Sequence, residues 1–338
     1  MRTARPATIR DVAREAKVSI ASASRAINGL DSVTKTTSER VLNAARILKY
    51  VPHSGARSLI TRRTDLIGVV LPELHGEFFS EIIRGVDAAA RDRGLHLLVS
   101  NSHGDPAEAA AAVRSMRGRV DGLLIMSPHL DGDLLADNLT GDLPTVLMNT
   151  PVEAGYFAFQ VDNHAGAFAV VRHLVEQGRR RVVHISGPGG NFETLERRRG
   201  YLEALEKHAP GVEPRVFEGD FSEESGHRVG VLLAAGAVRP DAVFAANDMM
   251  AVGCMHALQE AGVRLPREIA VAGFDDIPLA RLVRPSLTTA RVRIADLGSR
   301  ALERLVAAIE DPRATTYSET VRPELVVRDS TRSDIAEP

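Results

Sequence analysis

Between residues 8 and 48 apolar positions recur at helical spacing. Ile9, Val12, Ala13 and Ala16 share one face, with Arg10, Arg14 and Glu15 off it, which predicts a helix running to about Ala16. The Thr8 hydroxyl stands where it caps that helix, and Asp11, three places on, gives a capping-box spacing with negative charge at the positive helix end. Lys17-Val18 makes a turn. Ser19 then caps a second helix, in which Ala23, Ala26 and Ile27 face inward while Ile20, Ala21, Ser22 and Arg25 face outward. A third helix from about Thr34 is expected to bury Val41, Leu42, Ala45 and Leu48. Helices this short make a core only together. Two of them split by a tight turn form a helix-turn-helix, which makes DNA the first partner to consider.

From residue 65 the pattern changes to short continuous apolar runs alternating with amphipathic stretches. Runs at 66–71, 95–99, 122–126 and 146–148 alternate with helical stretches near 78–93, 105–116 and 131–139. A second series has strands near 182–186, 215–217, 242–245 and 269–273, and helices near 164–177, 194–207, 223–234 and 248–261. The chain then crosses back near Leu287-Thr288-Thr289 to a helix at about 294–309. Strand-helix alternation of this kind predicts parallel sheets with helices on both faces, here two doubly wound lobes joined by crossovers.

Net charge changes this picture. The formal charge of −2 conceals a polarised chain: residues 1–63 hold 13 Lys and Arg against 4 Asp and Glu, and the remainder holds 29 against 40. Clustered positive charge at one end is the footprint of phosphate contacts that release counterions. Residues 1–30 contain no continuous apolar segment and no small-residue cleavage site, so no signal peptide is read and a cytoplasmic location is expected. No run approaches the roughly 20 apolar residues of a membrane helix. The single Cys254 excludes an internal disulfide and, in its helical setting, reads as buried packing. Catalysis is not expected. There is no H-E-x-x-H, Gly187-Pro188-Gly189-Gly190 lacks both dinucleotide spacing and a phosphate-binding lysine, and the histidines are scattered. No cofactor or metal is expected either.

Several motifs carry a resemblance to one family. Asp11-Val12-Ala13, Val18-Ser19, Ser24-Arg25 with Asn28, Tyr50-Val51-Pro52 and Ala56-Arg57-Ser58-Leu59 have the order and spacing of the lactose-repressor (LacI/GalR) family, and the resemblance spans essentially the whole chain. It implies a helix-turn-helix DNA-binding domain at 1–50, followed by a hinge helix and linker at 51–64. Beyond these it implies a periplasmic-binding-protein-like α/β core, with one effector-binding lobe at 65–162 plus 292–322 and the other at 163–291 plus 323–338. The DNA-binding residues so implied are Thr8, Ser19, Ile20, Ala21, Ser22, Arg25 and Asn28, with Ala56, Arg57 and Leu59 in the hinge. Leu59 would be the wedge that opens a base step in the minor groove, a cost offset by the contacts the bend permits. Ile20 and Ala21 supply only shape and contact with a thymine methyl, whereas Arg25 suits a guanine edge. The family commonly has Gly in the turn where this chain has Lys17, so the turn is expected to differ slightly.

In open parallel sheets ligands lie beyond the carboxyl ends of the strands. Residues standing at such places that also match the family's effector positions are Phe78, Phe79, Ser127, Asn149, Asn191, Glu193, Arg197, Phe221, Asn247 and Asp275. A guanidinium, carboxylates, amides and flat aromatic faces suit adjacent sugar hydroxyls, each of which needs a donor and an acceptor. The reading is a ligand-controlled transcriptional regulator, a repressor of carbohydrate-utilisation genes that a sugar inducer releases from a pseudo-palindromic operator. A competing reading is a nucleoside- or purine-responsive repressor. Against it, the chain has no Trp, and Thr150 stands where some purine-binding relatives place an indole. A solute-binding protein without DNA function is the alternative from another class. The C-terminal residues carry no leucine heptads, so a homodimer is expected rather than a tetramer.

Overall fold

In the N-terminal unit, helices α1 (Ile9–Glu15), α2 (Ile20–Ile27) and α3 (Lys35–Ile47) enclose a small core of Val12, Ala13, Ala16, Ala23, Ala26, Val41 and Ala44. The protein is represented by a computed structural model that describes residues 7–29, 32–51, 63–129, 138–139, 143–150, 155–236, 239–311, 313 and 316–332. It divides into a unit ending at Asp65 and a larger unit from Leu66 onward.

One detail of the first unit differs from expectation. Leu42 is exposed, because the buried stripe of α3 runs through Val41, Ala44, Ala45 and Leu48, and residue 42 points about 100° away from 41. At the start of α1 the expected capping box is present, with the Thr8 N–H donating to the Asp11 carboxylate at 2.9 Å and the Thr8 hydroxyl donating to the same group at 2.7 Å. The turn after α1 does adopt a left-handed residue, Lys17 at φ +52°. The hinge candidates Ala56, Arg57 and Leu59, and most of the helix expected near 131–139, lie outside the described residues.

The larger unit holds two sheets. The first contains β1 (Leu66–Leu71), β2 (His96–Asn101), β3 (Gly122–Met126), β4 (Thr145–Met148), β5 (Phe157–Val161) and β11 (Ser318–Val321), in the order β11-β5-β4-β3-β1-β2 and parallel throughout. The second contains β6 (Val182–Ser186), β7 (Arg215–Glu218), β8 (Ala242–Ala245), β9 (Ala270–Asp275), β10 (Thr288–Arg291) and β12 (Glu324–Val326), in the order β12-β10-β9-β8-β6-β7. Only the β10–β12 pair is antiparallel. Helices α4 (Glu77–Arg91), α5 (Pro106–Met116) and α10 (Ile294–Glu310) accompany the first sheet. Helices α6 (Asn163–Glu176), α7 (Phe192–His208), α8 (Glu223–Ala235) and α9 (Asp248–Glu260) accompany the second.

The central strands are buried on both faces, which is why they read as continuous apolar runs. Strand order reverses beside β1 in one sheet and beside β6 in the other, which places the ligand crevice of each lobe beyond the carboxyl ends of those strands and their neighbours. The chain passes between sheets after β5, after β10 and between β11 and β12.

Candidate functional site

Arg197 lies in the second turn of α7 and is only 3% exposed. A buried guanidinium is costly unless its donors are used. Its Nε donates to Asn163 Oδ1 at 2.8 Å and Nη1 to the Ala246 carbonyl at 2.5 Å, while its plane lies over the Phe274 ring at 3.9 Å. The remaining terminal nitrogen faces Asp275 at 3.6 Å and Glu193 at 3.8 Å, ion-pair separations too long for hydrogen bonds. Asp275 Oδ1 has no hydrogen-bond partner although it is fully buried.

The two acids respond to this setting. Burial pushes the Asp275 carboxyl up to about 7, with Arg197 opposing the shift and Glu193 adding to it. Burial likewise raises Glu193 above the usual carboxylate range, against the pull of Arg197 and of a hydrogen bond from Asn149. Asp248, at the start of α9, is raised by burial and by the neighbouring Asp275, and accepts from Thr289 Oγ1 at 2.6 Å and the Ile277 N–H at 2.9 Å. Asp276 is satisfied differently, accepting from Arg291 Nε at 2.6 Å and from Arg328.

The first lobe reaches this cluster directly. Asn149 follows β4 in a left-handed conformation (φ +45°), accepts from the Val161 N–H at 3.2 Å, and donates from Nδ2 to Glu193 Oε1 at 2.8 Å. A second bridge runs between His129 Nδ1 and the Gly190 carbonyl at 2.7 Å, with the ring nitrogen donating. Phe221, also left-handed at φ +70°, lies 5.9 Å from the Arg197 guanidinium, and Gly187 makes room for its ring, since a Cβ there would sit 2.3 Å from it. Asp275 has φ +113°. Strained backbone at three neighbouring polar or aromatic positions is typical of binding sites.

Asn149, Glu193, Arg197, Phe221 and Asp275 therefore come together between the lobes. Asn247 joins them through the Phe221 carbonyl, to which its Nδ2 donates at 2.9 Å, while its Oδ1 caps α9 by accepting from the Met250 N–H at 2.9 Å. Asn191 is also a cap, accepting from the Thr194 N–H at 3.0 Å. The buried Ser127 donates its N–H to Thr150 Oγ1, beside Asn149. Phe78 and Phe79, at the start of α4, are half-buried and form an edge-to-face pair with each other, 5.3 Å between centroids. Asn163, Phe274 and His129 belong to this group but were missed in the sequence. Asn163 opens α6 just after β5, the position rule that selected the others, and β5 itself had gone unread.

In the first unit, Ser19 caps α2 by accepting the Ser22 N–H at 3.0 Å, and Ile20, Ala21 and Arg25 are exposed on one side of that helix. Ser22 is half-buried, and Asn28 closes the helix by donating to the Ser24 carbonyl at 2.9 Å. Arg40 on α3 donates to the Ala16 carbonyl at 2.5 Å, satisfying the end of α1 and fixing the turn.

Residues 8–53 match the family model for bacterial regulatory proteins of the lacI family, and residues 171–331 match a periplasmic binding protein-like domain. The ribose operon repressor of Halalkalibacterium halodurans is 32% identical over 329 residues, covering 96% of this chain and 97% of that protein. The chain belongs to the LacI family. It is a ligand-controlled, DNA-binding regulator of transcription. Among other LacI-family relatives, the repressor PurR of Photobacterium profundum is 34% identical over 331 residues, 96% of this chain and 99% of that one. In fold, the chain is similar to the lac repressor dimer bound to operator and the anti-inducer ONPF, with a TM-score of 0.86, 28% identity, and coverage of 97% of this chain and 99% of that one. A complex of the regulator CelR with cellobiose has a TM-score of 0.70 at 31% identity, covering 96% and 99%. Among the described residues, no helix is long and apolar enough to cross a membrane.

Proposed function

We propose that this LacI-family regulator is a cytoplasmic, dimeric repressor that binds a pseudo-palindromic operator and is released from it by a sugar or sugar derivative. The observation that carries the sugar assignment is the buried Arg197–Asp275–Glu193 cluster between the lobes, in which Asp275 Oδ1 is an acceptor without a donor. A hydroxyl of the effector supplies that donor. The adjacent hydroxyl accepts from the Arg197 terminal nitrogen, and the Phe221 ring offers a face to the sugar's C–H bonds. Asn149, Asn191, Asn247 and Ser127 line the same cleft, and Phe78 and Phe79 close it from the first lobe. The names of similar proteins support this: one is a ribose operon repressor, and another was solved with cellobiose.

On the DNA side, Ile20, Ala21 and Arg25 read base edges, while Thr8, Ser19, Ser22 and Asn28 hold the backbone. Ala56, Arg57 and Leu59 complete the contact through the hinge. The lobes are joined by the Asn149–Glu193 and His129–Gly190 hydrogen bonds, and an effector seated beside them changes the balance between open and closed arrangements. Its leverage on DNA is no larger than its differential affinity for the two states, commonly about 1 to 3 kcal/mol.

Calorimetric titration with a panel of pentoses, hexoses, disaccharides and nucleosides tests the assignment. One sugar is expected to bind and to lose binding in Arg197→Ala. Saturable binding of a nucleoside with no sugar bound would replace the assignment with a nucleoside-responsive repressor.

A further inference from the structure

Helices α8 and α9 pack unusually closely on the second lobe. A Cβ on Gly226 would lie 2.1 Å from the Met250 carbonyl oxygen, and one on Gly253 2.1 Å from that of Glu223. Backbones at this separation hold the side chains that emerge beside the contact in a fixed relation. His227 on α8 and His256 and Glu260 on α9 emerge there, the last two one helical turn apart on the same face.

His227 Nε2 is 3.0 Å from Glu260 Oε2, and His256 Nε2 is 3.5 Å from Glu260 Oε1. The donor atoms of all three lie within 4.8 Å of one another. Tetrahedral zinc, with bonds of about 2.0 to 2.2 Å, needs ligand atoms roughly 3.4 Å apart. Two imidazoles and a carboxylate are a recognised zinc donor set, and the exposure of His256 and Glu260 leaves a coordination position for water.

We propose that His227, His256 and Glu260 form a surface site for a divalent transition metal, zinc being the best fit, that staples α8 to α9. None of the three residues is among those assigned to the effector cleft or to DNA.

The test uses the full chain freed of metal with a chelator and titrated with zinc chloride in a non-coordinating buffer. Expected are one saturable zinc per chain and a thermal midpoint that rises with zinc concentration by mass action. Both are expected to be lost in His227→Gln and in His256→Gln. Circular dichroism of the metal-free variants is expected to match that of the parent, since these side chains are not in the core. Cobalt in place of zinc is expected to give visible absorption bands that the variants lack. An isotherm and midpoint unchanged in the two variants, or no saturable zinc at all, overturns the proposal.

Discussion

Asp275 concentrates the chemistry of the cleft in one side chain. Its carboxyl sits near 7 when folded, against about 3.9 for an unperturbed Asp. The folded chain therefore keeps a proton that the unfolded chain gives up. The associated stability is fully present below about pH 4 and lost as pH rises through 7. Asp275→Asn, measured by urea unfolding without ligand, is expected to stabilise the chain at pH 8 by on the order of 1 kcal/mol and to have little effect near pH 4. Effector binding responds in the opposite sense, because a hydroxyl that donates to Asp275 prefers the carboxylate. Affinity is expected to be about tenfold lower at pH 6 than at pH 8, with protons released on binding near pH 7, visible by calorimetry in buffers of different ionisation heat. Asp275 was legible because it ends β9, and Arg197 because it lies on the helix that follows β6, and both match the family pattern. Phe274 was not, since an apolar residue inside a strand gives no sign that its ring underlies a guanidinium. His129 was hidden for a similar reason: its bond is to a backbone carbonyl 61 residues away, which no side-chain motif records. Lys17 illustrates a local departure that was visible in advance. A left-handed residue other than Gly costs roughly 1 to 2 kcal/mol, and Lys17→Gly is expected to return about 0.5 to 1 kcal/mol after the added freedom of the unfolded chain is counted, read as a higher midpoint for the N-terminal unit.

Among the elements, legibility followed the continuity of apolar runs more than burial, since the partly exposed edge strands β2 and β7 were read and the buried β5 was not. Strands β1, β3, β6, β8 and β9 are shielded on both faces and stood out as apolar runs. Strands β11 and β12 are short and polar, Ser-Glu-Thr-Val and Glu-Leu-Val, so they have no such signature. Strand β5 is buried, yet Phe157-Ala-Phe-Gln-Val is interrupted by Gln160, whose amide donates to the Thr150 carbonyl at 3.2 Å. Missing β5 also hid Asn163, which follows it and holds Arg197. The close crossing of α8 and α9 was likewise invisible, because glycines at Gly226 and Gly253 count against helix propensity and reveal their purpose only when the partner backbone is in place. Gly253→Ala is expected to destabilise the larger unit by about 3 kcal/mol in urea unfolding, since the new methyl meets backbone that has no rotamer to escape into.

For the molecule as a whole, the polarised charge has a direct consequence. The 13 basic residues within 1–63, set against 4 acids, attract the phosphate backbone, while the acidic remainder is repelled by it. Operator affinity is expected to fall linearly on a log-log plot against salt, with a slope of about −0.9 per phosphate neutralised. Arg25→Ala is expected to weaken the specific site by about 1 to 3 kcal/mol and to leave non-specific binding much less affected. The central claim is that occupancy of the Arg197–Asp275 cleft governs DNA binding. Its most direct test is fluorescence anisotropy of the full chain on palindromic segments upstream of its own gene, at fixed salt, with and without the sugar that binds the cleft. The account predicts tight, sequence-specific binding that the sugar weakens by about 5- to 150-fold, and no sugar response in Asp275→Asn. Specific binding with the same affinity in saturating sugar would contradict it.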